Sequence, residues 1–373
     1  MSEAYIVGVG LTKFGRHPDR TVESLAAEAV RTALADADVE WRGVQQFYGA
    51  HVNQGVAAGQ RVVKEIGPSG IPVLNVENCS AAASTAVREA ALAVRAGAYD
   101  LVVVAGFEKM AKGLLLNVDA NADAEVTMGL GVLPVRFSLM GKKHMEQYGT
   151  TIEQFAQVSV KNHEHAVHNP HAQYPTEVTL SQVLSSRMVC DPITVLQCSP
   201  TSDGAAAAVV CSDNWLRRHP RPGAVRIVGS ALTSDKVEQA TNLYTLEHVA
   251  RAASELYERT GIGPEALDVV ELHDCFSVAE ILGYEALQLC PVGEGGRLLD
   301  EGETRIGGRI PVNTSGGLLA KGHPLGATGI GQLAELVTQL RGAAGARQVD
   351  GARIALASNM GMWSSCVTML ART

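Results

Sequence analysis

Short apolar runs typical of β-strands alternate with alanine-rich segments typical of α-helices along almost the whole 373-residue chain. This alternation predicts an α/β fold, with helices packed on the faces of a sheet. The chain is too long for one ordinary core, so we expect two or three packed units. The predicted strands cover residues 5–8, 46–49, 73–76, 101–105, 205–211, 225–230, 269–272, 312–313, 354–358 and 365–370. The predicted helices cover residues 21–35, 80–96, 246–260, 277–289 and 328–340.

The composition excludes several classes of protein. The net charge is −8 and no basic stripe with interleaved aromatic residues occurs, which argues against a nucleic-acid partner. An anionic substrate would therefore need a local basic patch, because the overall field repels it. No apolar run has the length of a membrane span. Seven cysteines without a Cys-x-x-Cys pair predict free thiols and a cytoplasmic location, rather than a disulfide framework or a zinc site.

The strongest candidate nucleophile is Cys79, which lies between the predicted strand at 73–76 and the predicted helix at 80–96. A thiol at a helix N-terminus faces unpaired N–H groups and the positive end of the helix dipole, which favours the thiolate. The same donors stabilise an oxyanion that develops beside the sulfur. The alternative is a packed cysteine without chemistry, since free cysteine is often simply buried.

A second reactive segment follows the predicted strand at 269–272. His273, Asp274 and Cys275 stand at its carboxyl end, where ligands bind in α/β sheets. Three such side chains in a row favour a functional site over packing. Asp274 has an alternative role, because an aspartate at this place is also suited to cap the following helix.

A third segment, residues 315–329, is rich in glycine and contains His323. Its glycines permit close backbone approach to a ligand, and its histidine is a candidate base for a thiol. The segment is not a phosphate-binding P-loop, because glycine follows Lys321 where that motif has serine or threonine. The alternative is a tight connector with a solvent-facing histidine.

Histidines cluster at residues 163–171 without forming a metal motif. The run lacks the His-Glu-x-x-His spacing, although His165 and His168 are spaced to share one helix face. We predict a solvated helix surface and no metal site. The surrounding stretch, from about residue 114 to 190, is polar and has little strand character. It is predicted to be an inserted subdomain or lid that carries substrate contacts.

A weak internal repeat connects the candidate segments. A turn, an alanine-rich helix and a strand follow Cys79, and the same order follows His323. Two similar halves packed together would bring both turns to one shared site.

Together these segments resemble the thiolase superfamily and, within it, the thiolases of the sterol carrier protein X type. The resemblance covers essentially the whole chain, and we expect no sterol-carrier domain of the kind present in the animal fusion protein. It implies two βαβαβαββ halves packed as five layers, α-β-α-β-α, with an inserted loop subdomain. The first half would span 1–118 and 192–222, the insert 119–191 and the second half 223–373. The matching motifs are Gly106–Met110, Gly141–Gly149, Leu196–Ala208, His273–Phe276 and Gly322–Pro324.

The resemblance also implies a reaction, the cleavage of 3-oxoacyl-CoA by CoA through an acyl-cysteine at Cys79. The acyl groups would be fatty, branched, aromatic or derived from a steroid side chain. His323 would activate the thiol and, with support from His273, hold the thioester oxygen. Cys275 would exchange the proton with the enolate, a role suited to a thiol whose pKa is not far above neutral. The backbone N–H groups of Cys79 and Gly361 would form a second oxyanion hole.

The acyl pocket is expected to differ from that of the relatives. Ser358 stands where they have histidine, and residues 362–365 stand where they have small glycines. A tryptophan in this second stretch would narrow or reshape the pocket. The candidate pocket residues are Asn359, Met360, Trp363 and Met145.

No cofactor is implied, because coenzyme A is itself a substrate. The expected partners are acyl-CoA and CoA, a second or further copies of the chain in a homodimer or homotetramer, and in some bacterial relatives a small OB-fold protein. One alternative is a thiolase-fold retro-aldolase that cleaves 3-hydroxyacyl-CoA with such a partner. Those relatives lack the nucleophilic cysteine and have tyrosine in place of His273, so Cys79 and His273 argue against it. A non-catalytic acyl-CoA-binding scaffold is disfavoured by the intact set of reactive residues.

Overall fold

The computed structural model describes residues 2–111, 132–236 and 245–373. The predicted boundary between residues 118 and 119 lies outside these ranges. The strands are β1 (Ala4–Leu11), β2 (Gln46–Ala50), β3 (Val73–Val76), β4 (Leu101–Lys109), β5 (Met188–Cys190), β6 (Ile193–Thr194), β7 (Asp203–Ser212), β8 (Val225–Ser234), β9 (Val269–Glu271), β10 (Ile354–Met360) and β11 (Ser364–Arg372). The α-helices are α1 (Val22–Asp36), α2 (Ala58–Ile66), α3 (Ala82–Arg95), α4 (Leu133–Tyr148), α5 (Ile152–Ala166), α6 (Leu180–Ser185), α7 (Asp213–Arg218), α8 (Glu247–Thr260), α9 (Ser277–Ala286), α10 (Gly295–Asp300) and α11 (Thr328–Leu340).

Every predicted strand and helix corresponds to one of these elements, except the strand predicted at 312–313. There the structure has a single parallel bridge between Val270 and Val312. Among the described residues, no helix is both long and apolar enough to cross a membrane.

Nine strands form one mixed sheet in the order β3-β2-β4-β7-β1-β8-β11-β10-β9. The first five strands in this order belong to the N-terminal half. Numbered along the chain without the separate β5–β6 pair, they are the third, second, fourth, fifth and first strands of that half. The C-terminal half repeats that order. The segment at Val312 takes the place of the third strand, and β9, β10, β11 and β8 follow it as the second, fourth, fifth and first strands of this half. The predicted internal repeat is therefore present. The half-sheets join where β1 pairs with β8, through Tyr5–Arg226 and Ile6–Val225.

Alternating side chains of the central strands face different helices, as the two-residue period of a strand requires. In β4, Val102 and Val104 pack in the apolar cluster that contains α3 and α11, whereas Val103 and Ala105 pack with α1 and α2. In β10, Ala355 and Ala357 pack in the same central cluster, whereas Leu356 packs with α8 and α9. The helices α3 and α11 thus lie between the half-sheets, which gives the expected α-β-α-β-α layers.

The described part of the predicted insert, residues 132–191, contains α4, α5, α6 and β5, and β5 forms a hairpin with β6, which lies just beyond the predicted end of the insert. A capping box between Thr151 and Gln154 starts α5. Lys161 of this helix lies 2.5 Å from Glu280 of α9, and both side chains are fully buried. Lys161 also donates to the carbonyl of Val312 at 2.8 Å. Because a buried charge is tolerated only with such partners, this pair fixes the insert against the C-terminal half.

Candidate active site

Cys79 lies on a tight turn between β3 and α3. Its φ angle is +48°, a left-handed conformation that a residue with a side chain seldom adopts. The turn closes through a 3.0 Å bond from the Ala81 N–H to the carbonyl of Asn78, and α3 begins one residue later. Ala81, at the N-cap of α3, provides no side-chain acceptor for the first N–H groups. The strained turn places the thiol on the wall of a cavity.

The pKa of the Cys79 thiol is raised by burial, and the nearby Glu77 acts in the same direction. Hydrogen bonds with the Ser80 backbone and hydroxyl and with the Met362 backbone lower this pKa, but they do not compensate for desolvation. The predicted preference for the thiolate is therefore wrong for the resting protein. A buried thiol of this kind needs a neighbouring base to become a nucleophile.

His323 supplies such a base. Its Nδ1 lies 2.7 Å from Oγ1 of Thr328, and that hydroxyl donates its single hydrogen to the carbonyl of Pro324 at 3.0 Å. The hydroxyl must therefore accept from Nδ1–H, which leaves the lone pair on Nε2, 3.3 Å from Oγ of Ser80. Burial lowers the pKa of His323 to about 3, so the imidazole is neutral at ordinary pH. His323 is buried and lines the cavity, so it is not a solvent-facing connector residue.

Buried ionic contacts hold the glycine-rich segment in place. Lys321 lies 2.7 Å from Oγ of Ser315 and 3.3 Å from the carboxylate of Glu271, and Ser315 donates to that carboxylate at 2.6 Å. The three side chains are fully or almost fully buried. At the other end, Gly106 of β4 allows close approach, because a Cβ there would overlap the carbonyl of Gly326.

Asp274 also supports this segment. Its carboxylate accepts the backbone N–H groups of Leu318 at 2.7 Å and Leu319 at 3.2 Å, together with the amide of Asn162 at 2.8 Å. The alternative role of Asp274, as a cap of the following helix, is not observed, because the N-cap of α9 is Phe276 and no side chain caps it. Burial, with the negative charge of Glu280 beside it, raises the pKa of Asp274 to about 8.

His273 complements His323 across the site. Nδ2 of Asn359 lies 3.0 Å from Nδ1 of His273, and an amide donor at that nitrogen leaves the proton on Nε2. Burial and the neighbouring His323 hold the pKa of His273 well below its usual range. The two rings meet edge to face, with centroids 5.0 Å apart. The neutral pair thus presents one nitrogen lone pair and one N–H donor.

Cys275 is the second thiol on the cavity wall. Burial and the adjacent Asp274 raise its pKa well above the ordinary value for cysteine. The prediction of a pKa not far above neutral is therefore wrong. The thiol stays protonated at rest, a state from which it can donate a proton but cannot readily accept one.

Both N–H groups predicted for the second oxyanion hole are occupied in this structure. The Cys79 N–H donates to the carboxylate of Glu77 at 2.7 Å, and the Gly361 N–H donates to the carbonyl of Ser364 at 2.9 Å. An oxyanion hole formed by these two residues stays a prediction, and it requires both hydrogen bonds to open. Glu77 is exposed, so its carboxylate has room to move away from the Cys79 N–H.

The reactive residues converge on one cavity of about 1140 Å³. Trp363 lines it with a φ angle of +53° and with 41% of its surface exposed. Two pocket candidates lie elsewhere, since Asn359 is buried behind His273, and Met145 packs against the apolar cluster of the C-terminal half. The predicted residues on the cavity wall are Cys79, His273, Cys275, His323, Met360, Gly361 and Trp363.

Several cavity residues were not predicted. Arg136 and Arg187 line the wall and supply the local basic patch that an acidic protein needs for an anionic ligand. His163 also lines it, with Nδ1 2.8 Å from the carbonyl of Thr176. His163 and His165 are both buried, so the predicted solvated helix surface is wrong. Ser80 also lines the cavity, and the only sequence signal for it is its position directly after Cys79.

The comparisons with known proteins agree with this architecture. The profile of the "Thiolase, N-terminal domain" family matches residues 4–214, and the "Thiolase C-terminal domain-like" profile matches residues 229–372. Sterol carrier protein 2 of Rattus norvegicus is 42% identical over 394 residues, which cover 100% of this chain and 72% of that protein. Acetyl-CoA acetyltransferase of Methanothermobacter thermautotrophicus is 39% identical over 371 residues, 97% of each chain. The solved "Ltp2-ChsH2(DUF35) aldolase" has a TM-score of 0.89 at 27% identity, covering 99% of this chain and 98% of its own.

Proposed function

We propose, from the premise that this chain belongs to the thiolase family, that it cleaves 3-oxoacyl-CoA with free CoA through an acyl group carried on Cys79. One observation carries the proposal. A single cavity contains a thiol on a strained turn, a neutral imidazole with an available lone pair, and a second protonated thiol. A nucleophile, its base and a separate proton donor are the groups that this cleavage requires.

In the first half-reaction, His323 takes the proton of the Cys79 thiol, and the sulfur attacks the 3-oxo carbon. The C2–C3 bond breaks, the acyl group remains on sulfur, and the electron pair moves onto the thioester as an enolate. His323 is then protonated on Nε2, so it joins the Nε2–H of His273 as a donor to the enolate oxygen. Cys275 gives its proton to C2 and releases acetyl-CoA.

In the second half-reaction, the thiol of free CoA attacks the acyl-cysteine. Cys275, left as a thiolate, takes the proton of the incoming CoA thiol, and the protonated His323 gives its proton to the Cys79 sulfur. Both residues are then back in their starting states. The high pKa of Cys275 suits the cleavage direction, because a thiolate at this site readily regains a proton.

The cavity composition supports an acyl-CoA as the ligand. Arg136 and Arg187 are suited to the phosphates of CoA, and Phe137 and Met140 provide apolar wall for an acyl chain. Trp363 lines the same cavity as Cys79, so we propose that it limits the shape of the accepted acyl chain. Fatty, branched, aromatic and steroid side-chain acyl groups are the candidates.

The accompanying proposals follow from the same chemistry. CoA acts as a substrate and no cofactor is needed, because thiols and imidazoles supply the acid, the base and the nucleophile. All seven cysteines are free, which supports a reducing compartment such as the cytoplasm. We expect a homodimer or homotetramer, with an OB-fold protein as a further candidate partner.

A second candidate function is retro-aldol cleavage of 3-hydroxyacyl-CoA. The observation in its favour is the likeness to the aldolase structure, whose TM-score of 0.89 spans almost the whole chain. A retro-aldol step needs no nucleophilic thiol, so the positions of Cys79 and His323 favour the thiolase reaction.

One assay separates the two functions. The protein is mixed with CoA and with acetoacetyl-CoA or longer and 2-branched 3-oxoacyl-CoAs, and the loss of the 3-oxo thioester is followed. We expect turnover by the wild type and none by Cys79→Ala. Unchanged turnover by Cys79→Ala, or cleavage confined to 3-hydroxyacyl-CoA in the presence of an OB-fold partner, would exclude the thiolase proposal.

A further inference from the structure

Ser80 stands between the nucleophile and its base. Its Oγ lies 4.0 Å from Sγ of Cys79 and 3.3 Å from Nε2 of His323. Cys79 and His323 both belong to the described part of the chain, and their side chains make no direct hydrogen bond with each other. Ser80 is buried, with 6% of its surface exposed, so bulk water does not compete freely for its hydroxyl.

The direction of the hydrogen bonds is fixed from the His323 side. Nδ1 carries the imidazole proton because the hydroxyl of Thr328 has already donated its hydrogen to Pro324. Nε2 therefore accepts, and Ser80 is the donor in the 3.3 Å bond. The remaining lone pairs of the Ser80 oxygen are then available to the thiol hydrogen of Cys79. The three groups form a chain that runs from S–H through O–H to the imidazole nitrogen.

We propose that Ser80 relays the proton from Cys79 to His323 when the nucleophile forms. The thiol hydrogen moves to Oγ of Ser80 while the hydroxyl hydrogen moves to Nε2 of His323. The products are the Cys79 thiolate, a restored serine hydroxyl and an imidazolium, so charge and atoms balance without a further reactant. The proposal rests on the proposed function, since it takes Cys79 as the nucleophile.

The test measures thiol activation without an acyl-CoA. Iodoacetamide alkylates a thiolate, and peptide mass spectrometry reports the alkylation rate at Cys79 separately from the other cysteines. Rates are compared from pH 6 to 10 for the wild type, Ser80→Ala and Ser80→Thr, which keeps a hydroxyl. Ser159→Ala is the matched control, because the Ser159 hydroxyl is buried in α5 and has no hydrogen-bond partner among the described residues.

We expect Ser80→Ala to slow alkylation near neutral pH by about 10- to 100-fold, the lower range of general acid–base effects. Its pH profile should move to higher pH, because the thiol then ionises without help from His323. Ser80→Thr should recover most of the rate, and Ser159→Ala should match the wild type. In a His323→Asn background, Ser80→Ala should cause little further loss, since the relay has no acceptor.

The relay is overturned if Ser80→Ala keeps the wild-type rate and pH profile, or if it slows alkylation equally with and without His323. This comparison of backgrounds decides the matter even if Ser80→Thr fails to fold. Because the probe needs no substrate, a normal relay in a protein without 3-oxoacyl-CoA turnover would count against the proposed function and leave the relay intact. Normal turnover of 3-oxoacyl-CoA with no effect of Ser80→Ala on alkylation would count against the relay and leave the proposed function intact.

Discussion

The turn that carries Cys79 and the glycine-rich segment that carries His323 occupy related places in the two halves but are held in different ways. Buried charges support the glycine-rich segment, in which Lys321 contacts Glu271 and Asp274 binds successive backbone N–H groups. The Cys79 turn is held by backbone bonds, by neutral side-chain hydrogen bonds of Asn78 with Thr85 and Ser364, and by the carboxylate of an exposed residue, Glu77. In the proposed reaction, the C-terminal half therefore supplies a rigidly held catalytic base, and the N-terminal half supplies a nucleophile whose surroundings can adjust.

This difference suits the chemistry. A base and an oxyanion donor act best when they are preorganised, because reorganising dipoles during the reaction costs rate. The N–H of Cys79, in contrast, must leave Glu77 before it can stabilise the tetrahedral intermediate of the proposed reaction. A hydrogen bond to an exposed side chain is readily exchanged, whereas a buried ion pair is not.

The largest expected effect concerns the base. His323→Asn should lower kcat/KM for a 3-oxoacyl-CoA by about 10³-fold, within the usual range for a general acid–base group. His219→Asn, a change at the C-cap of α7 and away from the cavity, is the control and should be neutral. Steady-state kinetics measure both, and a loss of less than about tenfold in His323→Asn would remove His323 from the acid–base role.

The next effect concerns the rigidity of the C-terminal half. Lys161→Met should lower the free energy of unfolding by about 3–5 kcal/mol, because Glu280 would keep a buried charge without its partner. Glu77→Gln should change the same quantity by about 0.5 kcal/mol or less, as expected for an exposed residue. Urea unfolding measures both variants. Equal costs would contradict the claim that buried charges hold the C-terminal half more firmly than Glu77 holds the Cys79 turn. Adding Glu280→Gln to Lys161→Met should recover much of the loss.

A smaller effect is the dependence of stability on pH. Burial lowers the pKa values of His165 and His323 to about 3, so between pH 3 and 6.5 the unfolded chain binds protons that the folded chain refuses. Stability must therefore fall as the pH falls through this window, by about 1.4 kcal/mol per pH unit for each such histidine. His165→Gln should reduce the slope of unfolding free energy against pH by the contribution of one histidine proton. Ser159→Ala, which removes no titratable group, should leave the slope unchanged. An unaltered slope in His165→Gln would contradict a neutral buried histidine.

The smallest effect concerns the Cys79 turn. Glu77→Ala removes the carboxylate that occupies the Cys79 N–H and one negative charge beside the thiol. We expect acylation of Cys79 to become several-fold faster in a rapid-mixing experiment. Glu65→Ala, which removes an exposed carboxylate from α2, should have no effect. A slower reaction in Glu77→Ala would mean that Glu77 assists the nucleophile.

The sequence predicted the elements and most of the reactive residues because both leave local signals. Alternating apolar runs marked the strands, and the repeat explained why Cys79 and His323 meet although they are far apart in the chain. Motifs also indicated His273 and Cys275, which line the same cavity.

The failures share a physical cause, since each depended on burial or on a particular backbone conformation. The direction of the pKa shifts of Cys79 and Cys275 follows from desolvation, which no local pattern reveals. The Cys79 N–H donates to Glu77 at a residue with a left-handed backbone conformation, which the sequence did not indicate. The histidines of α5 are buried because Lys161 and its neighbours pack that helix against the C-terminal half.

The most direct test of the account is to separate the two thiols. Cys275→Ala is incubated with acetyl-CoA and, separately, with acetoacetyl-CoA and CoA, and peptide mass spectrometry locates any bound acyl group. We predict an acetyl group on Cys79 from acetyl-CoA, together with loss of cleavage of acetoacetyl-CoA. An acetyl group on another residue, or undiminished cleavage in Cys275→Ala, would contradict the assignment of nucleophile and proton donor.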